Sequence, residues 1–217
     1  AAHAIVMLVH VLQRAKPGEK ILVLGFGQGC DALLFEATPA IANMPARGGI
    51  VGALANGRAE ANYNRFLAFN HLVIQEGGMR SEIDRNTPLS MLYRNRDMLT
   101  SFIGGRCTKC GTRQYPKSHL CVNPNCGALD TQEDAPFANT GAAIVTWSAD
   151  WLTYTPDPPA HYGMIQFDGG GRMMADFTDV DPGTFDVGTK MRMVFRVREY
   201  DQARGFRKYF WKATPAG

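Results

Sequence analysis

Four of the five cysteines stand together, at a spacing that suits a metal. The order is Cys107-x2-Cys110, ten residues, then Cys121-x4-Cys126. Gly111 and Gly127 follow the second cysteine of each pair. A tight turn can aim two thiolates at one point, and a glycine just after it permits the backbone bend. Four thiolates close a tetrahedron around Zn2+ and leave no position for water, so the metal is structural rather than catalytic. Iron accepts the same ligands. The second pair is wider than the usual x2 and carries Pro124 in its longer loop. Arg106, Lys109 and Arg113 lie nearby in sequence and are expected to offset the negative charge of the thiolates. The fifth cysteine, Cys30, stands apart and reads as a buried strand residue. With no secretory signal in view, this pattern points to a metal rather than disulfides. It also points to a reducing, cytoplasmic setting.

The elements that must hold these cysteines are legible on both sides. After them come five strand candidates: Thr140–Ser148, Tyr162–Phe167, Arg172–Phe177, Met191–Tyr200 and Phe206–Ala213. Asp168-Gly169-Gly170-Gly171 and Asp201–Gly205 read as hairpin turns. Five short strands with turn signals between them fit a small closed barrel of the OB type. Ahead of the cysteines, Arg58–Gln75 and Leu89–Ile103 read as amphipathic helices stopped by Gly77-Gly78 and Gly104-Gly105. Glu82–Pro88 between them is polar and extended. These helices suit a partner surface better than a core of their own.

The first residues form a different unit. Ala1–Ala15 reads as a helix with a wide apolar face, and Lys16-Pro17-Gly18-Glu19 as the turn that ends it. Ile21–Leu24 is a short strand, Gly25–Gly29 a glycine turn and Cys30–Ala37 a returning strand. An all-apolar strand needs neighbours on both faces, so this piece is expected to belong to a larger sheet. The chain also begins with Ala, which suggests that residues precede it. Pro39–Gly57 is rich in Ala, Gly and Pro and reads as a linker. The domains are therefore placed at 1–40, 41–104 (linker and docking helices), 105–130 (ribbon) and 131–217 (barrel). The fold class is α+β, mostly β.

Charge narrows the function. The net charge of +3 demands no polyanionic partner. Ala149–Asp186 holds seven Asp against one Arg, while Met191–Gly217 holds seven Lys or Arg against two acids. The Asp run is wrong for tracking a phosphate backbone, which argues against nucleic acid. No stretch is long and apolar enough to span a membrane as a helix. His3 and His10 read as ordinary helix residues, and His161 as a loop histidine.

Two resemblances cover nearly the whole chain. AKPGEKILVLGFGQGCDALLFEAT resembles the C-terminal end of the thiolase superfamily, closest to ketoacyl synthase III and hydroxymethylglutaryl-CoA synthase. Residues from about Arg58 to Gly217 resemble the rubredoxin-like zinc-ribbon/OB-fold family. Leu99–Cys110, the ribbon, and Tyr154-Thr155-Pro156-Asp157-Pro158-Pro159 carry this second match. Members of that family accompany thiolase-like enzymes, as separate subunits or fused at the C-terminus. The resemblance implies the tail of an acyltransferase that uses coenzyme A thioesters or acyl carriers, built on a homo-oligomeric thiolase core. Its nucleophilic Cys, His and Asn would all lie ahead of Ala1. Phe26-Gly27-Gln28-Gly29 would match the loop that offers a backbone N–H to the thioester oxygen, with Gln28 the donor between Gly27 and Gly29. The basic strands, through Arg196 and Lys208, would meet the CoA phosphates. The alternative is a non-catalytic ribbon/OB subunit that docks on a separate thiolase-like enzyme.

Overall fold

The computed structural model describes residues 2–44, 48–70, 72–74, 87–153, 155, 157–201 and 203–216. The expectations for Glu82–Asn86, Gln75, Gly77-Gly78, Tyr154 and Pro156 fall outside them. The chain divides into two compact units, Ala1–Leu67 and Ala68–Gly217.

In the first unit, helix α1 (His3–Leu12) precedes the antiparallel hairpin of β1 (Lys20–Phe26) and β2 (Cys30–Glu36). The order of helix, turn and two strands is the expected one. Burial is not. Only Ile21 and Val23 of β1 are buried, and every residue of β2 is exposed, Cys30 included. A two-stranded hairpin within this unit can cover one face only, so alternation leaves Leu22, Leu24, Phe26 and Leu34 outward. The expected linker is also partly ordered. Pro39–Asn43 forms a 3-10 turn and α2 spans Gly49–Ala55. The Gln13 side chain ties α2 down: its Nε2 donates to the Gly48 carbonyl (2.9 Å) and its Oε1 accepts from the Ile50 N–H (3.0 Å). The same oxygen also accepts the Val51 N–H (3.3 Å), so two of the backbone donors a helix start leaves open are satisfied. Helix α3 spans Tyr63–Phe69, shorter than expected. It starts where Asn62 Oδ1 accepts the Asn64 and Arg65 N–H groups, a side-chain cap.

In the second unit, the expected helix over Leu89–Ile103 is two short ones, α4 (Leu89–Arg94) and α5 (Arg96–Leu99), broken at Asn95. Asn95 Nδ2 donates to the Met91 carbonyl (2.9 Å). Its side chain thus competes for a helix acceptor, as Asn does at helix ends. Gly104 and Gly105 do not stop a helix. They lie inside β3 (Ile103–Cys107), the central strand of a three-stranded sheet with β4 (Arg113–Gln114) and β5 (Gln132–Pro136). A Cβ on Gly104 would come within 2.5 Å of both the Gln114 carbonyl and the Phe137 ring. Close packing, not turn-making, is the reason for glycine there.

The barrel strands are β6 (Ala142–Asp150), β7 (Ala160–Phe167), β8 (Arg172–Asp176), β9 (Lys190–Asp201) and β10 (Phe206–Pro215). All five expected strands are present. The sheet order is β10-β9-β6-β7-β8, and a parallel bridge from Phe177 to Ala213 joins the last strand to the first. Closure in that order is the OB topology. Bulges at Ile144/Thr146 and Lys208/Tyr209 accompany the bending of the strands.

The core holds Phe102, Phe137, Ile144, Ile165, Phe167, Phe177, Phe185, Met191 and Met193. Phe102 is its hub. It is fully buried and lies 4.7–6.2 Å, ring to ring, from Tyr115, Phe137, Phe167 and Trp211. Substituting Phe102→Ala is expected to lower stability by about 3–5 kcal/mol, read by chemical denaturation of the metal-loaded chain.

Candidate metal centre

The three-stranded sheet ends in two knuckles that face each other. The Gly111 N–H donates to the Cys107 carbonyl (2.8 Å), and the Cys126 and Gly127 N–H groups donate to the Asn123 carbonyl (2.9 and 3.0 Å). Gly111 (φ 74°) and Gly127 (φ 51°) both sit in the left-handed region, where a side chain is strained. The wider second pair still closes, because Asn123 Oδ1 accepts the Asn125 N–H within the longer loop. A cross-knuckle bond from the Cys121 N–H to the Ala128 carbonyl (2.9 Å) holds its two sides together.

The four sulfurs converge within 4.8 Å of one another. Cys107 Sγ lies 3.9 Å from Cys126 Sγ, and Cys110 Sγ lies 3.6 Å from Cys121 Sγ. A tetrahedron of Zn–S bonds of about 2.3 Å has edges of about 3.8 Å, so the set fits zinc. All four predicted ligands are thus brought together, with Cys107 and Cys121 buried and Cys110 exposed.

Two hydroxyls that local spacing did not suggest support the sulfurs. Thr131 Oγ1 lies 3.2 Å from Cys107 Sγ, and Thr112 Oγ1 lies 3.3 Å from Cys110 Sγ. The Thr131 hydroxyl, then the Cys110 and Lys109 N–H groups, pull the Cys107 thiol down to about 6. Thr112, through hydroxyl and N–H, also lowers Cys110. Cys121 goes the other way. The Asn123 N–H pulls it down, but burial and the three neighbouring sulfurs outweigh that and push it up to about 12. Four crowded sulfurs cannot all ionise without a cation among them. A divalent metal held by the four cysteines would supply that charge and take the place of the protons on Cys121 and Cys126.

Two of the three basic residues near the knuckles, Arg106 and Arg113, do other work. Arg106 pairs with Glu133 (3.7 Å). Arg113 turns to the barrel: its guanidinium lies 4.3 Å from the Phe137 ring centroid and donates to the Pro136 carbonyl (2.6 Å).

The other predicted residues lie apart from the metal. Arg196 donates to Asp179 (3.0 Å), and the buried Lys208 donates to Glu199 (2.8 Å). In the first unit, the Gly27 N–H donates to the Gly29 carbonyl (2.9 Å), and the Gln28 N–H donates to no described residue. A Cβ added at Gly27 or Gly29 would meet nothing within 4 Å, so no described residue crowds that turn. His161 lies in β7, not in a loop, and packs edge-on against Phe185 (5.3 Å). Burial pushes its pKa below the ordinary histidine range. Among the described residues no helix is long and apolar enough to cross a membrane.

Two family models match the ribbon and the barrel. Residues 101–132 match the ChsH2 rubredoxin-like zinc ribbon domain, and residues 141–196 match the ChsH2 C-terminal OB-fold domain. A DUF35 domain-containing scaffold protein of Pyrococcus furiosus is 32% identical over 120 residues, 52% of this chain and 82% of that protein. One of Methanothermobacter thermautotrophicus is 23% identical over 127 residues, 57% of this chain and 92% of that protein. Among solved structures, an Ltp2-ChsH2(DUF35) aldolase aligns at 16% identity and TM-score 0.43, covering 63% of this chain and 100% of that chain. A DUF35-family protein of Sulfolobus solfataricus aligns at 12% identity and TM-score 0.33, covering 60% of this chain and 100% of its own.

Cys121→Ser is expected to cut the bound metal from one ion per chain to a small fraction, measured by elemental analysis after dialysis. The wild-type site should lose zinc as pH falls, because protons then compete for thiols that metal binding had deprotonated. A chelator titration at several pH values checks the sign.

Proposed function

This chain belongs to the family of DUF35 domain-containing scaffold proteins, and from that premise we propose that it is a scaffold subunit docking on a separate, thiolase-like enzyme. The reading is favoured over a tail fused to its own acyltransferase. The observation that carries it is the match of ribbon and barrel to a scaffold family, and the uncovered hairpin adds a surface for a partner. Leu22, Leu24, Phe26 and Leu34 form one outward apolar face, with Phe26 90% exposed. A face of that kind marks an interaction site. The metal centre is consistent with support rather than chemistry, since four thiolates leave zinc no open position.

The acyl-thioester role extends this reading. Arg196 and Lys208 would meet the phosphates of a CoA thioester held by the partner. Each already pairs with a carboxylate, so a phosphate would have to take the place of Asp179 or Glu199. The fused arrangement stands as a second reading. It is supported by the helix-hairpin order of residues 3–36 and by a Gln28 N–H open to an acceptor.

Purification from the native source, followed by denatured intact mass, separates the two. Scaffold docking predicts two polypeptides, the second with its own reactive cysteine. A single polypeptide carrying both parts would overturn docking. Leu22→Asp with Leu34→Asp should abolish co-elution with the partner on size exclusion while metal content stays at one ion. Arg196→Gln should raise the Kd of the complex for CoA several-fold; unchanged affinity would remove Arg196 from the site.

A further inference from the structure

The four-cysteine centre leaves one of its residues open to solvent. Cys110 is exposed, whereas Cys107 and Cys121 are buried and Cys126 is half-buried. Thr108, Lys109 and Gly111 around it are exposed too, so a small solute can reach this knuckle from outside. The opposite knuckle sets a second sulfur against it. Cys121 Sγ lies 3.6 Å from Cys110 Sγ, closer than the 3.9 Å between Cys107 and Cys126. An S–S bond is about 2.05 Å long, so the two sulfurs need to close by only about 1.5 Å to form one.

Access and a neighbouring thiol together make a cysteine an oxidation site rather than an inert ligand. As a metal ligand Cys110 is held as the thiolate, which is the form that attacks an oxidant. The other cysteines lack one feature or the other. Cys107 and Cys121 have close sulfur neighbours but are buried. Cys30 is exposed, but it is the only cysteine in the unit Ala1–Leu67. A sulfenic acid formed there has no second thiol in its own unit to condense with.

We propose that Cys110 is a modification site for hydroperoxides, with Cys121 as its resolving thiol, so that oxidation opens the metal centre. The Cys110 thiolate attacks the terminal oxygen of the hydroperoxide. The S–O bond forms, the O–O bond breaks, and the leaving alkoxide or hydroxide takes a proton from water. The Cys121 thiolate then attacks the Cys110 sulfur. The S–S bond forms, the S–O bond breaks, and the departing hydroxide is protonated to water. The two thiolates lose two electrons in all, and the hydroperoxide gains them. Cys107 and Cys126 remain as ligands, and two thiolates do not close a tetrahedron. A dithiol reverses the change by thiol–disulfide exchange and restores the four ligands. This inference does not rest on the docking reading, because it concerns the chain alone.

The test uses the full, zinc-loaded chain with hydrogen peroxide as probe. A chromophoric chelator follows the released metal. Peptide mass spectrometry of the alkylated, unreduced chain follows the disulfides. Metal release and a Cys110–Cys121 link should rise together, with one ion lost for each link formed. Dithiothreitol with added zinc should return the chain to one ion. Cys30→Ser should leave the release rate unchanged. Metal still fully bound once Cys30 has been oxidised would overturn the proposal. So would metal release accompanied by a link within one knuckle, Cys107 to Cys110 or Cys121 to Cys126, in place of the link between knuckles.

Discussion

The second unit depends on the burial of one ring. Phe102 occupies the point where the helices end, the ribbon begins and the barrel closes. Its backbone lies at φ 54°, a region that costs a residue with a side chain. The surroundings over-determine it. Four aromatic rings surround it, and its carbonyl accepts the Phe137 N–H at 3.0 Å. Its neighbours carry the constraint outward. Tyr115 donates its hydroxyl to the Met98 carbonyl, and Trp211 donates its indole N–H to the Leu99 carbonyl, so α5 is fastened to the ribbon and to β10. Burial leaves the Tyr115 hydroxyl pushed up to about 12, in keeping with a permanent donor.

Ribbon and barrel therefore share one core rather than sitting side by side. Gly104 lets β3 press against Phe137, and Arg113 lies over that ring while bonding to the Pro136 carbonyl. A metal held by Cys107 at the far end of β3 would fix the direction in which that strand enters the core. A structural role for such a metal would follow from this geometry as much as from the closed ligand set.

The two faces of the β9–β10 ribbon serve different ends. One face carries Phe195, Tyr209 and Trp211, whose rings follow one another toward Phe102, stacked at either end and tilted between Phe195 and Trp211. The other carries Arg196, Phe210 and Lys212. Within this basic segment Arg196, Arg204 and Lys208 each hold a carboxylate, whereas Lys212 faces a ring. Arg204 finds Asp201 three residues back, but local sequence could not give Arg196 and Lys208 their partners, which lie on a distant segment and on the paired strand.

By itself the sequence determined what depends on local spacing. The four cysteines, the two glycines behind them and the alternating runs of the barrel were legible, since knuckles and hairpins are built within a few residues. The helix-hairpin order of residues 3–36 was legible for the same reason. What only the tertiary structure decided is how distant segments meet. Leu89–Leu99 breaks at Asn95, and Gly104-Gly105 belongs to a strand rather than a helix stop, because Phe137, more than thirty residues on, needs the space a side chain would fill. Thr131 reaches Cys107 across 24 residues, a contact no periodicity encodes. Cys30 lies exposed although its strand is apolar, because burial depends on what other elements cover, and no local pattern records that.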